Sequence, residues 1–298
     1  MLGSSAREPA AATLAILAFL HANATMTRND FPYLHGFSDT EQARLRKQAR
    51  LFEPTIFHDI ELGNCRHVLE VGSGVGAQTE ILLRRFPELR VTGIDLNERQ
   101  LAAADAHLDA LPWLRERAQF QRADASDLPF EARSFDGAFL CWVLEHVPSP
   151  ARALAEVRRV LSPGAPVYVT EVMNASFLLD PYSPNLWRYW MAFNDFQIDS
   201  GGDPFVGAKL GNLLLAGGFR DVQTQTKTVH LDNREPARRK VMFALWEELL
   251  LSAADQLLEA GKVDAETVDG MRREFAQVHN DPDAVFFYSF VQARATVY

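Results

Sequence analysis

The stretch Val68–Thr79 reads Val-Leu-Glu-Val-Gly-Ser-Gly-Val-Gly-Ala-Gln-Thr. Its first four residues form a largely apolar, Val-rich run, which is typical of a parallel strand buried on both faces. Glycines then follow at positions 72, 74 and 76, where the missing side chain permits a sharp turn and lets a ligand lie against the backbone. An apolar helical pattern opens at Ile81. A strand, a glycine-rich turn and a helix N-terminus together predict a nucleotide or nucleoside site at the carboxyl edge of an α/β sheet.

Strands and helices alternate along the chain that follows this turn. The pattern predicts strands over 67–71, 90–94, 120–122, 135–141, 167–171 and 222–229. Helices are predicted over 76–86, 98–108, 150–161, 207–217, 236–259 and 264–278, with a closing strand over 284–295. Alternation at this spacing predicts a doubly wound parallel sheet.

The composition narrows the class of protein. A chain of 298 residues with 47% hydrophobic side chains can build one large α/β domain. The net charge of −9 argues against a nucleic-acid partner, because phosphates require clustered Lys and Arg. Cys65 and Cys141 form no CxxC motif, which suits a reducing, cytoplasmic compartment and predicts no metal site. No apolar stretch approaches the ~20 residues of a membrane span, so no membrane partner is expected.

The first 62 residues are predicted to lie outside the sheet. Residues 1–28 are interpreted as a flexible N-terminal extension or loosely held helix ahead of an internal start at Met26. The alternative is a short secretory signal, since residues 10–20 are nearly all apolar and Ala22-Asn23-Ala24 follows. Residues 29–298 are predicted to form a single domain whose lid, 29–62, contains a helix over 40–60. Ser38 and Glu41 form a capping-box pattern at its start, and Pro54 is expected to kink or split it.

Three acidic residues accompany the glycine turn. Glu70 lies two residues before Gly72, Asp95 ends the second strand, and Asp124 ends the third. The carboxyl ends of neighbouring strands form one crevice in an open α/β sheet. A carboxylate at the end of the second strand can accept both hydroxyls of a ribose, and Asp124 is placed to accept from an exocyclic purine amine.

These motifs occur in a recognisable order. They are the acidic glycine turn from Glu70, then Asp95, then Ala-Asp-Ala-x-x-Leu-Pro-Phe from Ala123, and finally Phe135-Asp136-Gly137. The set resembles the class I S-adenosylmethionine-dependent methyltransferases, particularly those of ubiquinone and menaquinone biosynthesis, over residues 66–172 and the aromatic strand at 286–290. The resemblance implies a Rossmann-like, doubly wound seven-stranded sheet with an antiparallel last strand, an N-terminal helical cap and a helical insertion.

The resemblance also assigns cofactor-binding residues for S-adenosyl-L-methionine. Asp95 is expected at the ribose hydroxyls with Leu96 against the adenine, and Asp124 and Ala125 at the adenine edge. Cys141, which ends the fourth strand, is expected near the methionine moiety. The residues expected around the methionine and ribose at the turn are Glu70, Gly72, Ser73, Gly74 and Gly76.

Methyltransferases of this kind use in-line attack by a substrate N, O or C atom on the sulfonium methyl group. The protein mainly supplies proximity, alignment and desolvation, and a general base is needed only for weak nucleophiles. The candidate bases are His146, Glu171 and, in the lid loop, Tyr33 or His35. The insertion over 174–217 is rich in aromatic residues, so Phe177, Trp187 and Trp190 are predicted to line a pocket for a small apolar or aromatic acceptor, as found in specialised metabolism.

Two other functions remain open at this point. The turn also satisfies the G-x-G-x-x-A pattern of dinucleotide-binding proteins, so an NAD(P)-dependent oxidoreductase is the first alternative, although the sequence shows no Tyr-x-x-x-Lys pair. The second alternative is a non-catalytic regulatory protein that keeps the fold. A homodimer is compatible with the sequence, and the acceptor atom and the substrate are left open.

Overall fold

The computed structural model describes residues 34–298. The predictions for the N-terminal extension and for Tyr33 lie outside the described residues. Within them, the strands are β1 (His67–Val71), β2 (Arg90–Asp95), β3 (Ala118–Arg122), β4 (Gly137–Cys141), β5 (Pro166–Val172), β6 (Leu178–Asp180), β7 (Arg220–Leu231) and β8 (Val285–Thr296).

These strands form one mixed sheet. The five strands from β1 to β5 are parallel and run in the order β3-β2-β1-β4-β5, after which β8 pairs antiparallel with β5. The predicted doubly wound sheet with an antiparallel last strand is therefore confirmed.

The described strands number eight rather than seven, and the difference lies on one edge of β8. β7 pairs with residues 286–296 of β8, while β5 pairs with 290–296 and β6 with 285–287. Because a strand has only two edges, β5 and β6 must share the edge opposite β7. The sheet is thus seven strand positions wide, because β6 lies in line with β5 along the same edge of β8.

Helices cover both faces of the sheet. They are α1 (Asp39–Ile56), α2 (Ala77–Arg85), α3 (Glu98–Asp109), α4 (Pro112–Arg115), α5 (Pro150–Val160), α6 (Pro184–Asp199), α7 (Leu210–Ala216), α8 (Pro236–Leu251), α9 (Ala254–Glu259) and α10 (Ala265–Asn280). One buried cluster joins α1, α2, α6, α8 and α10 to the sheet, and a second joins α5 and α7 to the other face.

Several predicted boundaries were wrong. The helix expected over 236–259 is two helices, because the chain breaks at residues 252–253. The helix expected over 207–217 starts as a 3-10 turn, Val206–Lys209, before α7. The lid helix runs through Pro54 and ends two residues beyond it, at Ile56, so the proline does not split it into two helices. Its predicted cap is confirmed, since Ser38 Oγ accepts the Glu41 N–H at 3.2 Å.

The aromatic insertion is tied to the C-terminal helices by a buried carboxylate. Glu274 of α10 accepts the backbone N–H groups of Asn185 and Leu186 at 3.0 and 2.7 Å. These are donors in the first turn of α6, which lack partners within their own helix. The carboxylate also interacts favourably with the positive, N-terminal end of the α6 dipole. These contacts hold the N-terminus of α6 against α10.

Candidate functional site

The three glycines of the turn follow β1, and each has a left-handed backbone, with φ values of 71°, 50° and 72° at Gly72, Gly74 and Gly76. At Gly72, an added Cβ would lie 2.3 Å from a methyl carbon of Val143. At Gly76, it would lie 3.0 Å from the Leu108 side chain. At Gly74, it would meet no described atom within 4 Å. Two glycines therefore permit close packing within the protein, and Gly74 faces open space.

Asp95 joins this turn to the end of β2. Its two carboxylate oxygens accept the Gly74 N–H at 3.0 Å and the Asn97 N–H at 2.9 Å. Burial raises the pKa of Asp95, and the backbone N–H groups of Asn97, Gly74 and Leu96 oppose that shift. Each oxygen keeps lone pairs for further donors, so the carboxylate has acceptor capacity left for a ligand beside Gly74.

Glu70 is fully enclosed at the end of β1. Thr79 Oγ1 donates to its Oε2 at 2.5 Å. Burial raises the pKa of Glu70 to about 8, the Thr79 hydrogen bond opposes this, and the nearby Asp95 charge adds to it. The carboxyl is therefore positioned to neutralise a cation placed at the turn, since a positive charge would favour its ionised form.

The adenine-side residues lie at the neighbouring strand ends. Leu96 is 37% exposed although it is large and apolar, which leaves a hydrophobic surface beside Asp95. Asp124 Oδ1 accepts the Ser126 N–H at 2.7 Å, and its backbone carbonyl accepts the Asp127 N–H. This local turn fixes Asp124 and Ala125 after β3, where the sequence placed them.

Two buried polar atoms around the turn lack hydrogen-bond partners in the part of the chain that the structure describes. They are Ser73 Oγ and Gln78 Oε1. The Gln78 amide is oriented by its Nε2, which donates to Cys141 Sγ at 3.7 Å. Buried polar atoms without partners are rare in folded proteins and call for a ligand or water. Gln78 was not predicted from the sequence, although its place in the first turn of α2 was a usable signal.

The end of β4 brings the cofactor turn next to a group of carboxyls. Burial raises the pKa of the Cys141 thiol well above its usual value, and the charges of Glu171, Glu70 and Glu145 raise it further. Trp142 follows with a φ of 56°, a strained conformation for a bulky side chain. Such strain clusters at functional sites.

Glu171 is the most enclosed of these carboxyls, with no exposed surface. Its Oε1 accepts the backbone N–H groups of Val143 and Leu144 at 2.9 and 2.7 Å. Its Oε2 is buried and has no hydrogen-bond partner among residues 34–298. Burial, and then the charge of Glu145, raise the pKa of Glu171 to about 8.

His146 and His35 approach the same region from two directions. His146 Nε2 lies 3.6 Å from Glu145 Oε1, and Glu145 Oε2 accepts the Gln197 Nε2–H at 2.9 Å. His35 Nδ1 lies 2.7 Å from Ser252 Oγ. Burial lowers the pKa of His35 well below its usual value, and the charges of Arg44 and His146 lower it further. The lid loop and the β4 end therefore meet here.

The three aromatic residues predicted for the acceptor pocket separate into two groups. Phe177 and Trp190 are buried and in edge contact, with ring centroids 5.0 Å apart. Both also pack against Trp246. Trp187 lies elsewhere on α6 and is 39% exposed. A different aromatic group lies at the β4 end, where Trp142 contacts the rings of Phe52 and Phe290 at 5.2 and 5.9 Å.

The described part of the chain, residues 34–298, has neither a membrane-spanning helix nor a cluster of metal-ligating side chains. None of its helices is long and apolar enough to cross a membrane. The same residues contain no group of three or more His, Cys, Asp or Glu side chains arranged to hold a metal ion.

Comparisons with known proteins agree with this geometry. Residues 69–169 match a family model described as a methyltransferase domain. The chain is 35% identical over 156 residues to O-methyltransferase cnsE of Penicillium expansum, which covers 52% of each chain. It is 34% identical over 99 residues to a demethylmenaquinone methyltransferase of Symbiobacterium thermophilum, covering 33% of this chain and 39% of that protein. The chain thus spans about half the length, or less, of these curated relatives.

Solved structures share the fold at low identity. The YcgJ protein of Bacillus subtilis superposes with a TM-score of 0.52 at 16% identity, covering 83% of this chain and 99% of that one. A phosphoethanolamine N-methyltransferase 2 of Haemonchus contortus, solved with S-adenosyl-L-methionine, gives 0.51 at 18% identity, covering 84% and 52%. Residues 69–169 thus match a methyltransferase domain in sequence, and the strand order agrees with the fold that these solved structures share.

Proposed function

We propose that the protein transfers the methyl group of S-adenosyl-L-methionine to a small, apolar or aromatic molecule. The observation that carries this proposal is the pairing of Asp95 with Gly74, because it sets a ribose-binding carboxylate beside a turn that faces open space. The matched methyltransferase domain covers the same strand ends.

The described residues fit this cofactor. Asp95 would bind the ribose hydroxyls, and Asp124 and Ala125 the adenine edge, with Leu96 covering the ring. Glu70 would neutralise the α-ammonium group, and the unpartnered oxygen atoms of Ser73 and Gln78 supply further polar contacts. When bound, the cofactor supplies an activated methyl group on a sulfonium leaving group.

The acceptor is proposed to bind where the lid meets the end of β4. Phe52 of α1 and Phe290 of β8 enclose Trp142 with edge contacts, which provides an apolar aromatic surface. Phe177 and Trp190 are proposed to support that surface from behind, whereas Trp187 on the outer face of α6 contributes less. The names of several curated relatives, among them cnsE, support an oxygen acceptor.

The lid role of α1 rests on how the helix is held. At its C-terminal end, Gln292 Nε2 donates to the Ile56 carbonyl at 2.9 Å. Along its length, Lys47 pairs with Glu248 of α8 at 2.8 Å. At its N-terminal end, the exposed pair of Asp39 with Arg99 is longer, at 3.3 Å. We propose that α1 forms the lid over the bound ligands.

The base, if the acceptor needs one, is proposed to be Glu171, His146 or Tyr33. His146 is partly exposed beside Glu145, and Glu171 offers an unpartnered oxygen. A cytoplasmic location suits the two free, buried thiols of Cys65 and Cys141, and we propose a small-molecule partner with no nucleic acid or membrane.

Calorimetry tests this function directly. S-adenosylhomocysteine should bind with one site per chain and NAD(H) should not bind. Turnover of the methyl donor is then measured with matched phenols, anilines and quinols. Binding of NAD(H) would favour the oxidoreductase alternative. Tight cofactor binding without turnover of any acceptor would favour a regulatory protein.

A further inference from the structure

The two carboxyl oxygens of Glu171 have different surroundings. Oε1 is occupied by two backbone N–H groups of the chain that follows β4. Oε2 is buried and no group in the described chain donates to it. Leaving a buried acceptor without a donor is unfavourable. Oε1 therefore holds the chain that follows β4 in place. Oε2 can accept a hydrogen bond from a ligand that supplies a donor.

The surroundings of Cys141 place Glu171 beside the cofactor crevice. The charges of Glu171, Glu70 and Glu145 all act on the Cys141 thiol, and Gln78 of the glycine-turn helix donates to its sulfur. The titratable groups around Glu171 are Glu145, Cys141 and Tyr288. The described chain thus sets acidic groups around Glu171, and this arrangement favours a hydrogen-bond donor that carries no negative charge.

Aromatic side chains surround the residue that precedes Val143. Trp142 immediately precedes Val143, whose N–H is bound by Glu171, and its ring contacts Phe52 and Phe290. Rings in this edge-to-face arrangement favour an aromatic ligand, which can make a further ring contact.

Resting on the proposed function, we propose that the methyl acceptor is a neutral phenolic or enolic hydroxyl that donates its hydrogen to Glu171 Oε2. During transfer the oxygen–methyl bond forms and the sulfur–methyl bond breaks. The sulfonium becomes a neutral thioether, and the hydroxyl proton passes to the Glu171 carboxylate. The carboxylic acid later releases that proton to solvent.

Other acceptor types fit Oε2 less well. A free amine already has a lone pair and needs little help from a base, and a carbon acid offers no hydroxyl or amide donor to the unpartnered oxygen. A base whose pKa is raised to about 8 is matched to a weakly acidic hydroxyl, because proton transfer between groups of similar pKa is nearly balanced. An ordinary glutamate would be a much weaker base.

The test is Glu171→Gln in the full chain. Glutamine keeps an Oε1 that can accept from Val143 and Leu144, so the clamp remains while the base is lost. The variant should bind S-adenosylhomocysteine as the parent does. At pH 8 it should methylate the weakly acidic 4-methylphenol about 100-fold more slowly. It should lose little with 4-nitrophenol, which is largely ionised at that pH.

A second readout needs no turnover. With S-adenosylhomocysteine bound, the visible absorbance of 4-nitrophenol reports its ionisation on the protein. A nearby carboxylate opposes a second negative charge, so Glu171→Gln should lower the ionisation midpoint of the bound probe by about one pH unit or more. Glu156→Gln on α5 is the matched control, since that carboxylate binds the Leu128 N–H and Arg159 away from the site.

The outcomes are distinct. Equal losses with both phenols and an unmoved midpoint would show that Glu171 is only a clamp. Methylation of 4-methylaniline but not of 4-methylphenol by the parent would overturn the hydroxyl assignment while preserving the methyltransferase. Failure to bind S-adenosylhomocysteine would remove the proposed function itself.

Discussion

Replacing Asp95 by alanine tests the ribose assignment. In the structure each carboxylate oxygen accepts one backbone N–H, at 3.0 Å from Gly74 and 2.9 Å from Asn97. The ribose would add two hydroxyl donors to the same group. A hydrogen bond to a charged group contributes roughly 1.5–3 kcal/mol. Because the two hydroxyls share one carboxylate, we expect a loss of about 2–3 kcal/mol in binding, or roughly 30- to 150-fold in Kd.

Calorimetric titration with S-adenosylhomocysteine measures that loss. The control is Asn97→Ala, which removes the cap of α3, where Asn97 Oδ1 accepts from Arg99 and Gln100. That change should lower the free energy of unfolding by about 1 kcal/mol and leave the Kd nearly unchanged. Cofactor affinity that is equal in Asp95→Ala and the parent would refute the assignment. An equal loss in both variants would show that a shifted α3, rather than a missing ribose partner, causes the effect.

Three further predictions follow from the same region and from the insertion. Gly74→Ala should lose about 1–2 kcal/mol of stability for its left-handed backbone and should bind cofactor at least tenfold more weakly. Gly72→Ala should unfold at a still lower temperature, because its added Cβ would also clash with Val143. Calorimetry measures the cofactor affinity, and thermal melts measure the stability of each variant. The pKa of Glu70 is raised from 4.5 to about 8, so the folded state binds the extra proton between these values and stability should fall as pH rises through them. The free energy of unfolding should fall by at most about 1.4 kcal/mol per pH unit. Urea titrations of Glu70→Gln at several pH values should show a weaker dependence of stability on pH. Glu274→Ala should lower the free energy of unfolding by about 2–3 kcal/mol, since it leaves two backbone donors of α6 without their acceptor; an unchanged urea midpoint would contradict this.

The core of the site was predictable because its signals are local. Glycines that require positive φ, and acids at the ends of buried strands, are fixed by the chain within a few residues of β1 and β2. The parallel arrangement of these strands then brings Glu70 and Asp95 together, whatever the rest of the chain does. Their positions therefore follow from pattern alone, and the structure places both beside one turn.

The helix break after α8 had no such local signal. Residues 236–259 contain no internal proline or glycine, and the pattern continues through the break. In the structure, Ser252 Oγ donates to the Leu249 carbonyl at 2.7 Å and also meets His35 of the lid loop. A serine that bonds to the preceding turn competes with helix continuation. The contact partner of Ser252, His35, lies 217 residues away in the chain. The local sequence periodicity therefore gives no sign of this contact.

The aromatic insertion shows a second limit. Residue type and density predicted an acceptor pocket, but they do not distinguish a pocket wall from a packed core. Phe177 and Trp190 join the buried cluster around Trp246, while Trp142, which was not singled out, lies at the β4 end with an unusual φ. A strained residue after a strand has no composition signal, because the strain arises from the tertiary contacts that hold it.

Those contacts connect the two halves of the site through Val143. Its side chain occupies the space that the missing Cβ of Gly72 leaves, and its N–H is held by Glu171 Oε1 at 2.9 Å. The glycine turn and Glu171 therefore constrain the same residue, one position after the strained Trp142. If Glu171 acted only as a base, Glu171→Ala, which removes the whole carboxyl, and Glu171→Gln, which removes only its charge, would have the same effect on cofactor affinity. Because it also holds Val143 against Gly72, alanine at position 171 should weaken S-adenosylhomocysteine binding and glutamine should not.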